Sequence, residues 1–239
     1  MTSNYGDRSL RSVAIVIAAA GRGERLGGEL PKALEHVAGV SLLEYCVHTV
    51  AALRGLGAVV VSAPEAYLAE VDEICARLTK PAAIVVPGGS TRTESVANAL
   101  AMLPDDIDIV LVHDAARAFT PVEQFLDVIA AVEAGSDAVI PGLAVVDTTK
   151  EVDGDGFVVR TVPRDSLRGV QTPQGFRRET LDAVHRDHDL RGATDDAGMV
   201  EASGGHVKVI PGHPDAFKVT TPFDRLIGDA LVTSRSLPH

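Results

Sequence analysis

Short unbroken apolar blocks alternate with segments of helical periodicity along most of the chain. Val13–Ala18 is apolar at every position and runs into a glycine-rich stretch, which predicts a strand buried on both faces. Ser41 stands before Leu42, Leu43, Cys46, Val47, Val50 and Leu53, whose spacing makes one apolar stripe, so a helix capped by Ser41 is expected. Further strands are expected at 58–62, 83–86, 109–113 and 137–141. Between them the pattern predicts three helices. One opens at Pro64 with the stripe Tyr67, Val71, Ile74 and Leu78, one covers 93–103, and one runs from Thr120-Pro121-Val122-Glu123 to about Ala134. That tetrapeptide has the form of a capping box with proline at the first helical position. The β-α-β-α order predicts an α/β fold, a single doubly wound and mainly parallel sheet with helices on both faces.

After Pro141 the rhythm changes. Residues 145–150 and 157–161 alternate as strands do and flank Asp153-Gly154-Asp155-Gly156, which is turn chemistry, so a protruding antiparallel β-hairpin is expected there. Helical spacing returns at 177–186 and after Asp195, a strand is expected at 206–210, and Thr221-Pro222-Phe223-Asp224 opens a last helix. There is no internal repeat and no low-complexity linker. The expected organisation is a flexible tail at 1–10 and one domain at 11–235, with residues 143–170 as an arm.

Composition narrows the partners. The 239 residues are 46% hydrophobic and 23% charged, enough for one sizeable core. A formal net charge of −11 repels nucleic acid and anionic membranes, so a small anionic substrate would need a local basic pocket. No apolar run is long enough to cross a bilayer, and the polar first ten residues lack the features of a signal peptide. Cys46 and Cys75 fall on apolar helical faces without metal-ligand spacing. Two buried thiols in a reducing cytoplasm are expected.

In an open parallel sheet ligands bind beyond the carboxyl ends of the strands. After the first strand come Ala19-Ala20-Gly21-Arg22-Gly23-Glu24-Arg25-Leu26-Gly27-Gly28 and then Pro31-Lys32. Small residues admit close backbone approach, free N–H groups bind phosphate oxygens, and Arg25 and Lys32 add cations. The dinucleotide fingerprint fails because Leu26 occupies the third glycine position, and no P-loop is present. Pro87-Gly88-Gly89-Ser90-Thr91-Arg92-Thr93-Glu94-Ser95 follows the third strand, with room for a flat base and Ser95 facing back to the loop. His113-Asp114-Ala115-Ala116-Arg117 follows the fourth. Its acid could meet sugar hydroxyls or a divalent metal, or could simply pair with Arg117. Asp147-Thr148-Thr149-Lys150, Arg164, Gln171-Thr172-Pro173-Gln174-Gly175, Thr194-Asp195-Asp196 and Lys218-Val219-Thr220 add hydroxyls and cations suited to a second anion, although each alone also reads as a cap or turn. His185, His188, His206 and His213 have no zinc spacing and read as surface or core residues.

Taken in order, Ala19-Ala20-Gly21-x-Gly23-x-Arg25 with Pro31-Lys32, Gly88-Gly89-x-x-Arg92, His113-Asp114-Ala115-Ala116-Arg117, Thr172-Pro173-Gln174 and Lys218-Val219-Thr220 resemble the 2-C-methyl-D-erythritol 4-phosphate cytidylyltransferases of the non-mevalonate isoprenoid pathway. The resemblance spans about residues 13–231. Ala18, Ala33 and Ala118 depart from it, all with neutral side chains, and a fused cyclase domain found in some members is not expected. The resemblance implies a Rossmann-like nucleotidyltransferase fold and transfer of cytidylyl from CTP to the polyol phosphate with release of pyrophosphate. It implies catalytic roles for Arg25, Lys32 and Lys218, and a nucleotide site of Ala19, Ala20, Gly21, Gly23, Arg25, Lys32, Gly89, Ser95, Asp114 and Ala115. The second substrate would meet Asp114, Arg117, Thr148, Arg164, Thr172, Thr194 and Lys218. Mg²⁺ held mainly by the CTP phosphates, with no assigned protein ligand, and a homodimer embraced through the hairpin arm are implied in the same way.

Three other readings stay open on the residues alone. A cytidylyltransferase for ribitol 5-phosphate would use much the same loops. A non-catalytic nucleotide sensor would share the fold, although it has no need of Arg25, Lys32 and Lys218. An NAD-dependent oxidoreductase lacks its third glycine.

Overall fold

The structure, a computed structural model, describes residues 10–21, 30–78, 80–187 and 192–236. Its centre is an eight-stranded sheet. β1 (Val13–Ala18) pairs in parallel with β4 (Ala58–Ala63) on one side and β6 (Ile109–Asp114) on the other, and β5 (Ala83–Pro87) lies beyond β4. Past β6 comes β11 (Gln174–Arg177), antiparallel, then β7 (Ala138–Ala144), and at the far edge β12 (Val207–Pro211), parallel to β7. β10 (Arg168–Val170) continues the β11 side of β7, pairing Arg168 with Ala144. Six strands therefore run parallel around one antiparallel interruption. A small hairpin of β2 (His36–Val37) and β3 (Val40–Ser41) leads into the first helix.

Strand alternation divides the core in two. Val13, Ile15 and Ile17 of β1 face α1 (Leu42–Ala52), α2 (Leu68–Cys75) and α4 (Val122–Glu133), while Ala14 and Val16 face α3 (Arg92–Leu100), α5 (Arg178–Arg186) and α6 (Asp196–Ala202). α7 (Pro222–Ser236) packs Leu231 and Val232 on the first of these layers. Both faces of β1 and β4 are covered, which is why β1 is apolar throughout and β4 is apolar but for the small, buried Ser62. Ser41 caps α1 as expected, and Glu44 answers it to complete a capping box that was not foreseen. Cys46 and Cys75 are buried free thiols; burial pushes both up, Cys75 to about 12. No helix among the described residues is long and apolar enough to cross a membrane.

The arm is a separate two-stranded sheet, β8 (Thr149–Val152) and β9 (Val158–Val162), turned at Gly156 with φ +87°. Asp153 Oδ1 accepts from the backbone N–H groups of Asp155 and Phe157.

Several expectations need correction. Strand 137–141 continues to Ala144, and the first arm strand starts at Thr149 rather than 145, with a bulge between Glu151 and Val152 that shifts the register. The helix expected to reach residue 103 ends at Leu100, and the one expected at Pro64 starts as a single tight turn before α2. The capping box at Thr120 does not form: its hydroxyl donates to Arg117 O at 2.8 Å and Pro121 takes the cap position. The expected tail lies outside the described residues except Leu10, which is 3% exposed and belongs to the core. β2, β3, β10 and β11 were not foreseen.

Candidate active site

β1 and β6 are neighbours, but the chain after β1 moves out toward β4 and the chain after β6 toward β7. Their carboxyl ends therefore part above the sheet, at a topological switch point. Here the described residues line a cavity of about 490 Å³, within the usual range for small-molecule sites.

One wall is Ala19, Ala20 and Gly21. Ala19 N donates to Ser62 O at 2.8 Å, so the loop leaves β1 as an extension of the sheet. Lys32 N donates to Gly21 O at 3.2 Å, which sets Lys32 beside the wall. Lys32 then lines the cavity from a short 3₁₀ turn, Lys32–Leu34, whose Ala33 and Leu34 are buried. Gly23 and Arg25 lie outside the described residues.

The opposite wall is the loop from β5 into α3. A Cβ on Gly88 would stand 2.3 Å from Ala20 Cβ, and one on Gly89 would stand 2.2 Å from Glu94 Cβ. Gly88 is needed because the two walls pack on each other, and Gly89 because the loop closes on the first turn of α3, tighter reasons than room for a base. Ser95, buried one turn into α3, accepts from Gly89 N at 3.0 Å and donates to Thr91 O at 2.8 Å. Its hydroxyl shapes the wall, and its proton is already committed. Thr91 caps α3 by accepting from Glu94 N.

Asp114 ends β6 on the floor, beside Ala115 and Ala116. It pairs with Lys218, Nζ to Oδ2 at 2.7 Å, and with Arg92, Nε to Oδ1 at 3.1 Å, rather than with Arg117. Burial alone would raise its pKa, but Arg92 and Lys218 outweigh burial and hold the carboxyl well below its usual range. Arg92 also meets Asp196 at 2.6 Å. The two carboxylates overcome its burial and raise it further above its ordinary value. Lys218 is placed by its neighbour: Val219 N donates to Ala116 O at 2.8 Å. Thr220 lines the cavity just before α7, where Asp224 accepts from Thr220 and Thr221.

Of the residues selected from sequence, Ala19, Ala20, Gly21, Lys32, Gly89, Ser95, Asp114, Ala115 and Lys218 come together around this cavity. The remaining described ones do not line it. Thr172 sits behind the floor, its hydroxyl accepting from Asp114 N at 3.0 Å and meeting Nδ1 of buried His113 at 3.0 Å; burial brings His113 down to about 4. Arg117 donates to the carbonyls of Ala216 and Val170, tying the Lys218 loop to β10. Thr148 and Arg164 are exposed on the arm, and Thr194 is exposed ahead of α6. Sequence reasoning gave Arg92 only as a motif residue, Asp196 only within the Thr194-Asp195-Asp196 set and His185 as a surface or core residue, and it linked none of them. Arg92 and Asp196 are 104 residues apart, and no local pattern joins them.

The arrangement sets cations around one carboxylate at the end of a parallel sheet in an acidic protein, a place for a polyphosphate beside a hydroxyl-bearing sugar. Comparison with known proteins agrees. Residues 13–234 match the family described as 2-C-methyl-D-erythritol 4-phosphate cytidylyltransferase. Proteins of that name from Frankia casuarinae and Saccharopolyspora erythraea are 50% and 48% identical; the matches cover 92% of this chain in both cases and 81% and 99% of theirs. A crystal structure of the Thermus thermophilus protein of that name superimposes with a TM-score of 0.75 at 34% identity, covering 93% of this chain and 99% of that one. The chain belongs to the 2-C-methyl-D-erythritol 4-phosphate cytidylyltransferase family, the nucleotidyltransferases that move cytidylyl from CTP onto that polyol phosphate in isoprenoid precursor synthesis.

Proposed function

We propose that the strand-end cavity carries the transfer, with CTP against the two small-residue walls and the polyol phosphate near Asp114 and Lys218. The observation that carries this is the meeting of Lys32, Arg92 and Lys218 around a cavity whose one carboxylate among the described lining residues is Asp114. A phosphate oxygen of the polyol attacks the α-phosphorus in line. A new P–O bond forms as the bond to the β-phosphate bridging oxygen breaks, and pyrophosphate leaves with the electron pair. The attacking phosphate is already an anion, so no side chain has to remove a proton. Lys32 and Lys218, with Arg25 assigned by the resemblance, meet the charge that builds on the equatorial and leaving oxygens. Ala19, Ala20, Gly21, Gly89 and Ala115 enclose base and ribose, and Ser95 acts by holding Gly89 in place.

A divalent cation fits this donor set. No cluster of three metal-ligating side chains exists among the described residues, and Mg²⁺ characteristically takes one or two carboxylates plus substrate phosphates. When bound there, Mg²⁺ would neutralise the triphosphate and the leaving group.

The arm supports a homodimer. Val146, Phe157, Val158 and Val159 are exposed on a two-stranded hairpin, a unit that is marginal alone in water. Residues 143–170 embrace a second copy, and Thr148 and Arg164 serve the partner's site. The buried free thiols support a cytoplasmic setting.

Pyrophosphate release tests the assignment. With Mg²⁺ and CTP, methylerythritol phosphate should turn over well above ribitol 5-phosphate, and CTP well above ATP or GTP. Equal turnover with ATP, or full activity in excess chelator, counts against it.

A further inference from the structure

The two cations on Asp114 are held in different ways. Lys218 reaches it from a loop, with a side chain 39% exposed and Asp114 as its single ion-pair partner among the described residues. Arg92 is bound at both ends: Nε meets Asp114, and NH1 meets Oδ2 of Asp196 at 2.6 Å. Asp196 opens α6 and is 1% exposed; its Oδ1 lies 2.8 Å from Nε2 of buried His185 on α5. Nδ1 of that ring has no partner among the described residues, so the proton is assigned to Nε2, which donates to Asp196. The start of α6 is itself fixed. Gln174 of β11 donates to Asp195 Oδ2 at 2.6 Å and accepts from Ala197 N at 3.3 Å.

We propose that Asp196, backed by His185, is a positioning residue for the transfer: it clamps Arg92 so that Asp114 keeps a permanent counter-charge while Lys218 exchanges the carboxylate for a phosphate oxygen. A buried carboxylate deprived of its cation is strongly unfavourable, so an Asp114 dependent on Lys218 alone would resist releasing it. With Arg92 fixed, Asp114 remains paired when the lysine leaves. Without Asp196 the guanidinium is tied at one end, and the carboxylate falls back on Lys218. The loss then falls on the step in which Lys218 meets developing charge, hence on kcat more than on nucleotide binding.

The inference rests on the roles proposed above for Asp114 and Lys218. Steady-state kinetics of Asp196→Asn, which keeps the shape and removes the charge, provide the test. The expected result is a kcat lowered about 10- to 100-fold, a KM for CTP changed by less than about threefold, and cooperative unfolding retained. In an Arg92→Gln background the same substitution should add little, because the arginine transmits the effect. Unchanged kcat in Asp196→Asn, or losses that multiply in the double variant, overturn the proposal. If Asp196→Asn does not fold, His185→Gln decides: a several-fold fall in kcat supports the clamp, and wild-type kcat overturns it. Lys218→Ala is measured alongside. Should that variant stay active, the reading of the cavity fails; should it be inactive while Asp196→Asn is fully active, the clamp alone fails.

Discussion

Around the cavity, polar side chains find partners within the chain; on the β8–β9 hairpin, apolar side chains do not. Asp114, Arg92 and Thr172 each have hydrogen-bond partners supplied by distant elements, and Ser95 is held within its own loop and helix. On the hairpin the cross-strand contacts are polar and exposed, Arg160 with Glu151 and Lys150 with Thr161, while Phe157 is 72% exposed. The first region is set when the core forms, because its groups sit at the ends of buried strands and on the helix packed against them. The second has its backbone ladder but no buried face of its own. Preorganisation belongs to the cavity, and apolar surface that no other part of the described chain covers belongs to the arm.

The largest effect expected from this contrast is at Lys32. Lys32→Ala should lower turnover by about 10²–10³-fold, the usual loss of one donor to transition-state charge, with an unchanged unfolding curve. Near-normal turnover would mean that the cavity's cations do not meet the reacting phosphates.

The arm gives the next. Lys32→Ala and Arg164→Ala, each inactive alone, should regain activity when their subunits are dissociated, mixed and reassociated, because a hybrid dimer has one site free of both lesions. With random pairing about a quarter of all sites are intact. No recovery, with hybrids confirmed by mass, would make each arm serve its own subunit and erase the contrast.

Protonation should strike the cavity side first. Burial lowers His113 from 6.5 to about 4, so the unfolded chain takes up that proton before the folded one does. The stability it supports is complete above pH 6.5 and falls as the pH drops toward 4, by up to about 3 kcal/mol. Asp114 and Asp196 are held below their ordinary 3.8, so their contribution is present above that pH and lost beneath it. Denaturant unfolding from pH 7.5 to 4 should show the first loss in the wild type and a flatter curve in His113→Gln. Parallel curves would remove His113 as the cause.

Two glycines sharpen the comparison at the smallest scale. Gly88→Ala drives a methyl into Ala20 and should cost about 1–3 kcal/mol, with weaker CTP binding. Gly154→Ala, in the hairpin turn with nothing near its added Cβ, should stay within about 0.5 kcal/mol. Thermal unfolding of both would expose any reversal.

The parts legible in the sequence were those specified locally. β1, β4 and β6 announced themselves because burial on both faces demands runs of mainly apolar residues, and the loops after β1 and β5 because small residues and cations cluster there. β10 and β11 were hidden: Arg168-Gly169-Val170 and Gln174-Gly175-Phe176-Arg177 are too short and polar to read as strands, and they exist because β7 and β6 present edges to pair. The Thr120 motif matched a capping box, yet a nearer carbonyl took the hydroxyl. The clamp on Arg92 was illegible because it joins α3 to α6 across the fold, where spacing along the chain carries no information.

The pairing of Ala144 with Arg168 has an evolutionary consequence. The arm departs from the sheet and returns to it at two residues that face each other across a ladder, so insertions, deletions and drift between them leave the register of the catalytic sheet untouched. Selection can therefore rework the arm, lengthening or recharging it, while the strand ends that line the cavity stay as they are.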